Sequence, residues 1–397
     1  MDTEYEYRGW NHYYNVVKRV SSLAGQWPYQ RLKIRLLCVI LVTLSIFSMN
    51  VPQMARFVIC NGDLQCIFET MTSFMLATMC LVKLYTCYLN RYKMKDLTNH
   101  LFVDWNALET SEEYEIMSRY AKNGRLYSLG YSLYCFVALC VFLSMSLIPQ
   151  LLDVIMPLNK TRPILLTYPG YYFVDEKEYF FYIFPHAVVC WEIAISGIVA
   201  HDCIFVTYVE HVCSMFAVVG FRLNHLFNDC NNKVKTTNMD DIYRKRVAFI
   251  VNTHREALRY AQLLEDTFNV PFAMQILIVT IGMSITLLQI MQRNDNSNIL
   301  ETMRYALYVI GELIHLFFLS FEGQKLIDHS LQMRDKVYNS CWYEVSMKSQ
   351  KLIVLVMMKS LRLSFLSAGK VYIFSLESFT TVLQTSMSYC TVLASFQ

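Results

Sequence analysis

A chain of 397 residues that is 55% hydrophobic, 14% aromatic and 17% charged departs from the soluble average of about 25% charged residues and falls with the membrane proteins. A formal net charge of +3 concentrates no cationic face, which excludes a nucleic-acid partner. The 13 cysteines lie mostly in apolar runs and form no CxxC pair, so no metal and no cofactor is expected.

A spanning helix needs about 20 mostly apolar residues, and seven stretches meet this. Residues 1–35 carry Asp2, Glu4 and Glu6 and lack the apolar core of a signal peptide, so they read as a cytoplasmic N-terminal segment. The first four spans, within 36–208, are Leu36 to Pro52, Ile67 to Leu89, Leu129 to Leu152 and Tyr179 to Tyr208. Cys60 and Cys66 share the loop after the first span, where a disulfide and two free thiols are both open. Asn159-Lys160-Thr161, after the third span, is an N-x-S/T acceptor for glycosylation at Asn159.

Residues 209–266 continue helices four and five into the cytoplasm: Val247, Ile250, His254, Ala257, Ala261 and Leu264 recur at helical spacing. Spans five and six, Phe268 to Ile290 and Ile299 to Phe321, lie within 267–322. In 323–370 the run "LIVLVMM" at 352–358 is too short to cross and reads as a helix buried among cytoplasmic segments. The last span, Val371 to Phe396, lies within 371–397.

Lys and Arg set the orientation: 28 lie in the N-terminal segment and the loops after spans two, four and six, against five in the other loops. The expected fold is an all-α integral membrane protein of seven transmembrane helices with N-terminus cytoplasmic and C-terminus extracellular. G-protein-coupled receptors have the reverse topology, and their Asp-Arg-Tyr and Asn-Pro-x-x-Tyr signatures are missing here. The internal repeats common in transporters are missing too.

Turned at about 100° per residue, the last span separates into two walls. Glu377, Ser378, Thr380, Thr381, Gln384, Thr385, Ser388, Thr391 and Ser395 share one face, and Leu376, Phe379, Val382, Leu383, Leu393 and Ala394 the other. So long a polar stripe suits a water-filled path better than hydrocarbon. One helix cannot enclose a path, so several subunits would set their stripes around an axis. Thr381, Gln384, Thr385, Ser388, Thr391 and Ser395 are then pore-lining. Val392 and Phe396 interrupt the stripe near its end and are the candidate gate, closing by dewetting where the chain reaches the outside.

The stretch "GKVYIFSLESFTTVLQTSMSYCTVLASF" resembles the C-terminal signature of insect odorant receptors at Ser375-Leu376-Glu377, Phe379, Leu383, Ser388-Tyr389 and Val392-Leu393. "VYNSCWYE" at 337–344 is similar to that family's Tyr-x-x-x-Trp-Tyr motif, and "HDCIF" at 201–205 to its Asp-Cys-Leu-Phe. The resemblance implies a subunit of a ligand-gated, non-selective cation channel in the plasma membrane of olfactory sensory neurons, a heterotetramer with the co-receptor Orco, and not an enzyme. It also implies a cytoplasmic helical anchor domain, joining "LIVLVMM" to the extensions of spans four to six, that holds most subunit contacts. The short 209–266 segment lacks the co-receptor's insertion, which implies an odorant-tuning subunit. Ser395 stands where the co-receptor and gustatory relatives favour Gln; the gustatory ending is the nearest alternative.

By the same resemblance, a small volatile, mostly apolar odorant binds among the outer halves of spans two, three, four and six. Those halves hold Met71, Met75, Phe142, Met145, His186, Cys190, Tyr305 and Tyr308 as candidate ligand-binding residues. Glu192, Glu312 and His315 are ionisable groups near mid-membrane, and the i,i+3 spacing of the last two suggests a pair.

Overall fold

The computed structural model describes residues 2–156, 162–231, 237–292 and 299–395; Asn159 and Phe396 lie outside them. The described chain is almost wholly helical: α1 (Asp2–Leu23), α2 (Leu32–Ile59), α3 (Leu64–Leu89), α4 (Arg91–Asn106), α5 (Ser111–Ser144), α6 (Ile148–Ile155), α7 (Phe180–Asn231), α8 (Thr237–Gln292), α9 (Ile299–Tyr338), α10 (Met347–Ser360) and α11 (Leu376–Ser395).

Six helical runs are long and apolar enough to cross a membrane: α2, α3, the α5–α6 run and the apolar parts of α7, α8 and α9. The sequence reading counts a seventh, α11, which is not among the six. Its 20 residues span about 30 Å, but its hydroxyl and amide side chains dilute its apolar character.

Several expected boundaries shift for local reasons. The third span is not one helix: α5 stops at Ser144, a 3-10 turn covers Met145–Leu147, and α6 restarts with Pro149 in its first turn, where a missing N–H costs nothing. The last helix starts at Leu376 instead of Val371 because Ser367–Ala368 (β1) and Tyr372–Ile373 (β2) pair as an antiparallel hairpin. Two of its three turn residues, Gly369 and Lys370, have φ of 64° and 61°, in the left-handed region that lets the chain reverse so tightly. Just after β2, Phe374 packs its ring on Phe272 of α8, 4.9 Å between centroids, and a Cβ added at Gly323 of α9 would strike Phe374.

Cys60 and Cys66 are joined as a disulfide, their Cα atoms 5.7 Å apart, which closes the α2–α3 loop. The helix around "LIVLVMM" runs from Met347 to Ser360 and buries Ile353 and Val356 against α8 and α9. Val247, Ile250, His254, Ala257, Ala261 and Leu264 are all buried, as their spacing predicts.

His254 gives this region a measurable pH dependence. Its Nε2 lies 3.4 Å from Ser360 Oγ at the end of α10, and burial pulls its pKa down to about 4. In the unfolded chain the ring titrates near about 6.5, so between these values the unfolded state binds the extra proton. Stability from the neutral ring is complete above about pH 6.5 and is lost as pH falls toward 4. Thermal melts of the detergent-solubilised protein should lose about 2–3 kcal/mol more over this window than His254→Phe does. Parallel pH curves for the two proteins would contradict this.

Candidate functional site

Lysine and aspartate are rare inside apolar helices because a lone charge there is expensive. Lys83 of α3 and Asp202 of α7 resolve the cost together: Nζ lies 2.6 Å from Oδ1, with side-chain exposures of 1% and 0%. The Tyr131 hydroxyl of α5 donates to Asp202 Oδ2 at 3.0 Å, and His201 Nδ1 lies 3.0 Å from Oδ1. His315 of α9 completes the cluster: its Nε2 accepts from Lys83 Nζ at 3.2 Å and from Gln275 Nε2 of α8 at 2.7 Å. An ammonium has no lone pair, so the proton of the neutral ring sits on Nδ1 and is donated to Tyr131 at 2.6 Å. Five helices are thereby tied at one level.

Above this cluster, toward the α2–α3 loop, lies a cavity of about 320 Å³, at the small end of ligand pockets. Each helix gives it one face. Tyr131, Tyr134, Cys135, Ala138, Leu139 and Phe142 follow each other at helical spacing along α5, and Arg304, Tyr305, Tyr308, Gly311, Glu312 and His315 along α9. Thr72, Leu76 and Met79 of α3, Trp191 and Ile195 of α7, Val279 of α8 and the Thr167–Pro169 loop close it. At the loop end, Arg304 Nη1 donates to the Leu166 carbonyl at 2.5 Å, and its guanidinium lies 6.0 Å from the Phe142 and Tyr305 ring centroids. Gly282 of α8 faces Glu312: an added Cβ would meet Oε1 at 3.2 Å, so the missing side chain makes room for the carboxylate.

Of the ligand candidates read from sequence, the structure brings Phe142, Tyr305 and Tyr308 together in this wall. The other five do not line it. Met75 approaches Gly282 between α3 and α8, Met71 is half-buried elsewhere on α3, and Met145 is buried in the turn after α5. His186 and Cys190 face α2, their Nε2 and Sγ lying 3.0 and 3.6 Å from Ser48 Oγ. The expected Glu312–His315 pair does not form; His315 is taken up by Lys83, Tyr131 and Gln275. Sequence reasoning left out Trp191, Tyr134 and the Lys83–Asp202 pair. The last had a signal, two opposite charges in separate apolar runs.

On α11 the polar stripe is open as the periodicity predicts, but of the expected apolar wall only Val382 is buried, with Phe379, Leu383 and Ala394 half-buried and Leu376 exposed. Val382, Ser386 and Cys390 are buried against the bundle, while Thr381, Gln384, Ser388, Thr391 and Ser395 are exposed and Thr385 is half-buried. The stripe hydroxyls bond their own helix: Thr385 to Thr381 O at 2.8 Å, Ser388 to Gln384 O at 2.9 Å, Thr391 to Ser388 O at 2.8 Å and Ser395 to Val392 O at 2.7 Å. They are not glue between helices of one chain. Val392, 50% exposed, lies on the same open side. Val382 joins a small core with Met79 and Val279, two residues of the cavity wall.

A profile described as 7tm odorant receptor matches residues 63–387. The chain belongs to the insect odorant receptor family. It is a family of receptors, not of enzymes. This receptor is 27% identical to odorant receptor 22c of Drosophila melanogaster over 198 residues, 49% of this chain and 48% of that one. It is 20% identical to odorant receptor Or2 of Anopheles gambiae over 314 residues, 77% and 78% of the two chains. The odorant receptor coreceptor of Drosophila melanogaster is 24% identical over 43% of this chain and 35% of its own. The receptor thus spans about half the length, or less, of the first two curated relatives it resembles and of this coreceptor. The solved olfactory receptor OR5 from Machilis hrabei, in complex with eugenol, superposes with a TM-score of 0.77 at 14% identity, over 98% of this chain and 100% of that one. At that identity the likeness is one of fold.

Proposed function

We propose that this receptor is the odorant-tuning subunit of a ligand-gated, non-selective cation channel, assembled with the Orco co-receptor in a heterotetramer of the olfactory neuron's plasma membrane. The observation that carries the reading is the apolar cavity, closed on one side by the Lys83–Asp202 polar cluster and joined through Met79 and Val279 to the core that holds α11. A small volatile molecule fits its volume and its aromatic walls. In this reading α11 is the seventh span, its exposed stripe lines the path and Val392 with Phe396 gates it. The 28-to-five distribution of Lys and Arg supports a cytoplasmic N-terminus and an extracellular C-terminus. Asn159 then lies outside, where glycosylation occurs. The exposed Leu355, Met358 and Leu361 on and after α10, beyond the spans, suit subunit contacts in the cytoplasmic anchor.

The test is odorant-evoked current from the full chain, alone and with the co-receptor. Current is expected only from the pair. Tyr305→Ala and Tyr308→Ala should each shift odorant potency by about tenfold or more while sparing activation by an agonist of the co-receptor, since a lost aromatic wall removes contact area from the ligand alone. Unchanged potency in both variants would place the ligand elsewhere.

A further inference from the structure

Two polar groups of the cavity wall, Trp191 Nε1 and Glu312 Oε2, make no hydrogen bond among the described residues, while others are committed. Glu69 pairs with Arg56 at 3.2 Å, Arg304 holds the Leu166 carbonyl, the Tyr308 hydroxyl donates to the Thr72 carbonyl at 3.3 Å, and His315 belongs to the cluster below. Of the two, Glu312 is the acceptor: the Tyr308 hydroxyl stands beside its carboxyl, but Oε2 itself makes no hydrogen bond among the described residues. Gly282 receives the carboxylate from the α8 side, which fixes it at the wall. A carboxyl oxygen without a partner in an apolar wall is costly, and a group entering the cavity is what remains to relieve it.

Resting on the reading of this cavity as the ligand site, we propose that its ligand carries a single N–H or O–H donor on an otherwise apolar body, and that Glu312 Oε2 accepts from it. The rest of the wall agrees: Phe142, Ala138 and Leu139 offer only apolar contact, and the unpaired Trp191 indole N–H can donate to the oxygen of an alcohol. The class is a small primary amine or alcohol. Glu312 sets specificity by what it leaves unpaired when a ligand lacks the donor, which is the strongest form of discrimination available to a binding site.

Three compounds of one skeleton decide the matter: 2-phenylethylamine, 2-phenylethanol and ethylbenzene, bound to the full-length receptor in lipid nanodiscs. The readout is Trp fluorescence, since Trp191 stands in the wall, with Trp191→Phe as the blank. Wild type should bind the amine, the alcohol or both at least about tenfold more tightly than ethylbenzene. Glu312→Leu should abolish that preference and keep ethylbenzene binding, which also certifies that the variant is folded. Glu312→Gln separates the two sources of the donor: it loses an ammonium and keeps a hydroxyl, because the amide oxygen still accepts. Equal affinity for all three compounds in wild type overturns the inference and leaves the ligand cavity standing, whatever the variants do. A preference that survives in Glu312→Leu overturns it as well. If none of the three binds to wild type, the cavity itself is not the ligand site, and the inference falls with it.

Discussion

Asp202→Ala is expected to remove nearly all receptor from the cell surface and to destabilise the purified protein by about 3–5 kcal/mol, because it strands the Lys83 ammonium inside the bundle. The same substitution takes one acceptor from Tyr131 and one from His201, so the loss spreads across α3, α5 and α7. Lys83→Met should do similar damage from the other side. The double variant Lys83→Met with Asp202→Leu is the informative one, since removing both charges removes the stranded ion. It should recover a large part of the stability. Melting temperature in detergent and surface labelling measure both quantities. An Asp202→Ala protein that melts with wild type would show that the pair carries no structural charge.

Val392→Ser is expected to raise resting current several-fold in cells expressing the receptor with its co-receptor. Val392 stands on the open side of α11, and in the proposed channel its copies would form an apolar ring that resists wetting until it widens. A hydroxyl lowers that resistance without changing the backbone. Phe396→Ala should act the same way but less, being four residues further along the chain. Val382→Ser is the contrast, since Val382 is buried beside Met79 and Val279, where a hydroxyl without a partner costs stability and surface expression instead. Holding current and permeability ratios at matched surface amounts make the comparison. Resting current identical to wild type in Val392→Ser would move the gate to another subunit's helix.

Periodicity and charge carried the fold far. The burial of the six positions from Val247 to Leu264 and the open polar stripe of α11 follow from helical spacing, because each of these helices has a polar side that shows which side is not. The cavity was less legible, for the opposite reason. In its apolar stretch α5 is apolar all round, so nothing in its sequence says that Tyr134 and Cys135 face inward while Leu133 and Val137 lie largely open. Met145 was placed in the wall on the assumption of a continuous helix, and Pro149 breaks that continuity. Lys83 and Asp202 stand 119 residues apart, and no local pattern joins them. The reading of Glu312 with His315 failed because a nearer set of donors, on other helices, claimed the imidazole.

The position of the Lys83–Asp202 pair beneath the cavity, with only its partners Tyr131 and His315 reaching the lining, separates two kinds of mutational freedom. Substitutions at Phe142 or Tyr305 exchange one apolar surface for another over empty space, where neither a lost charge nor an overfilled core penalises the change. Substitutions one layer deeper meet the full cost of an orphaned ion. A lineage carrying this fold can therefore drift through many chemical preferences along nearly neutral paths, and the scents it answers to can turn over faster than the protein that detects them.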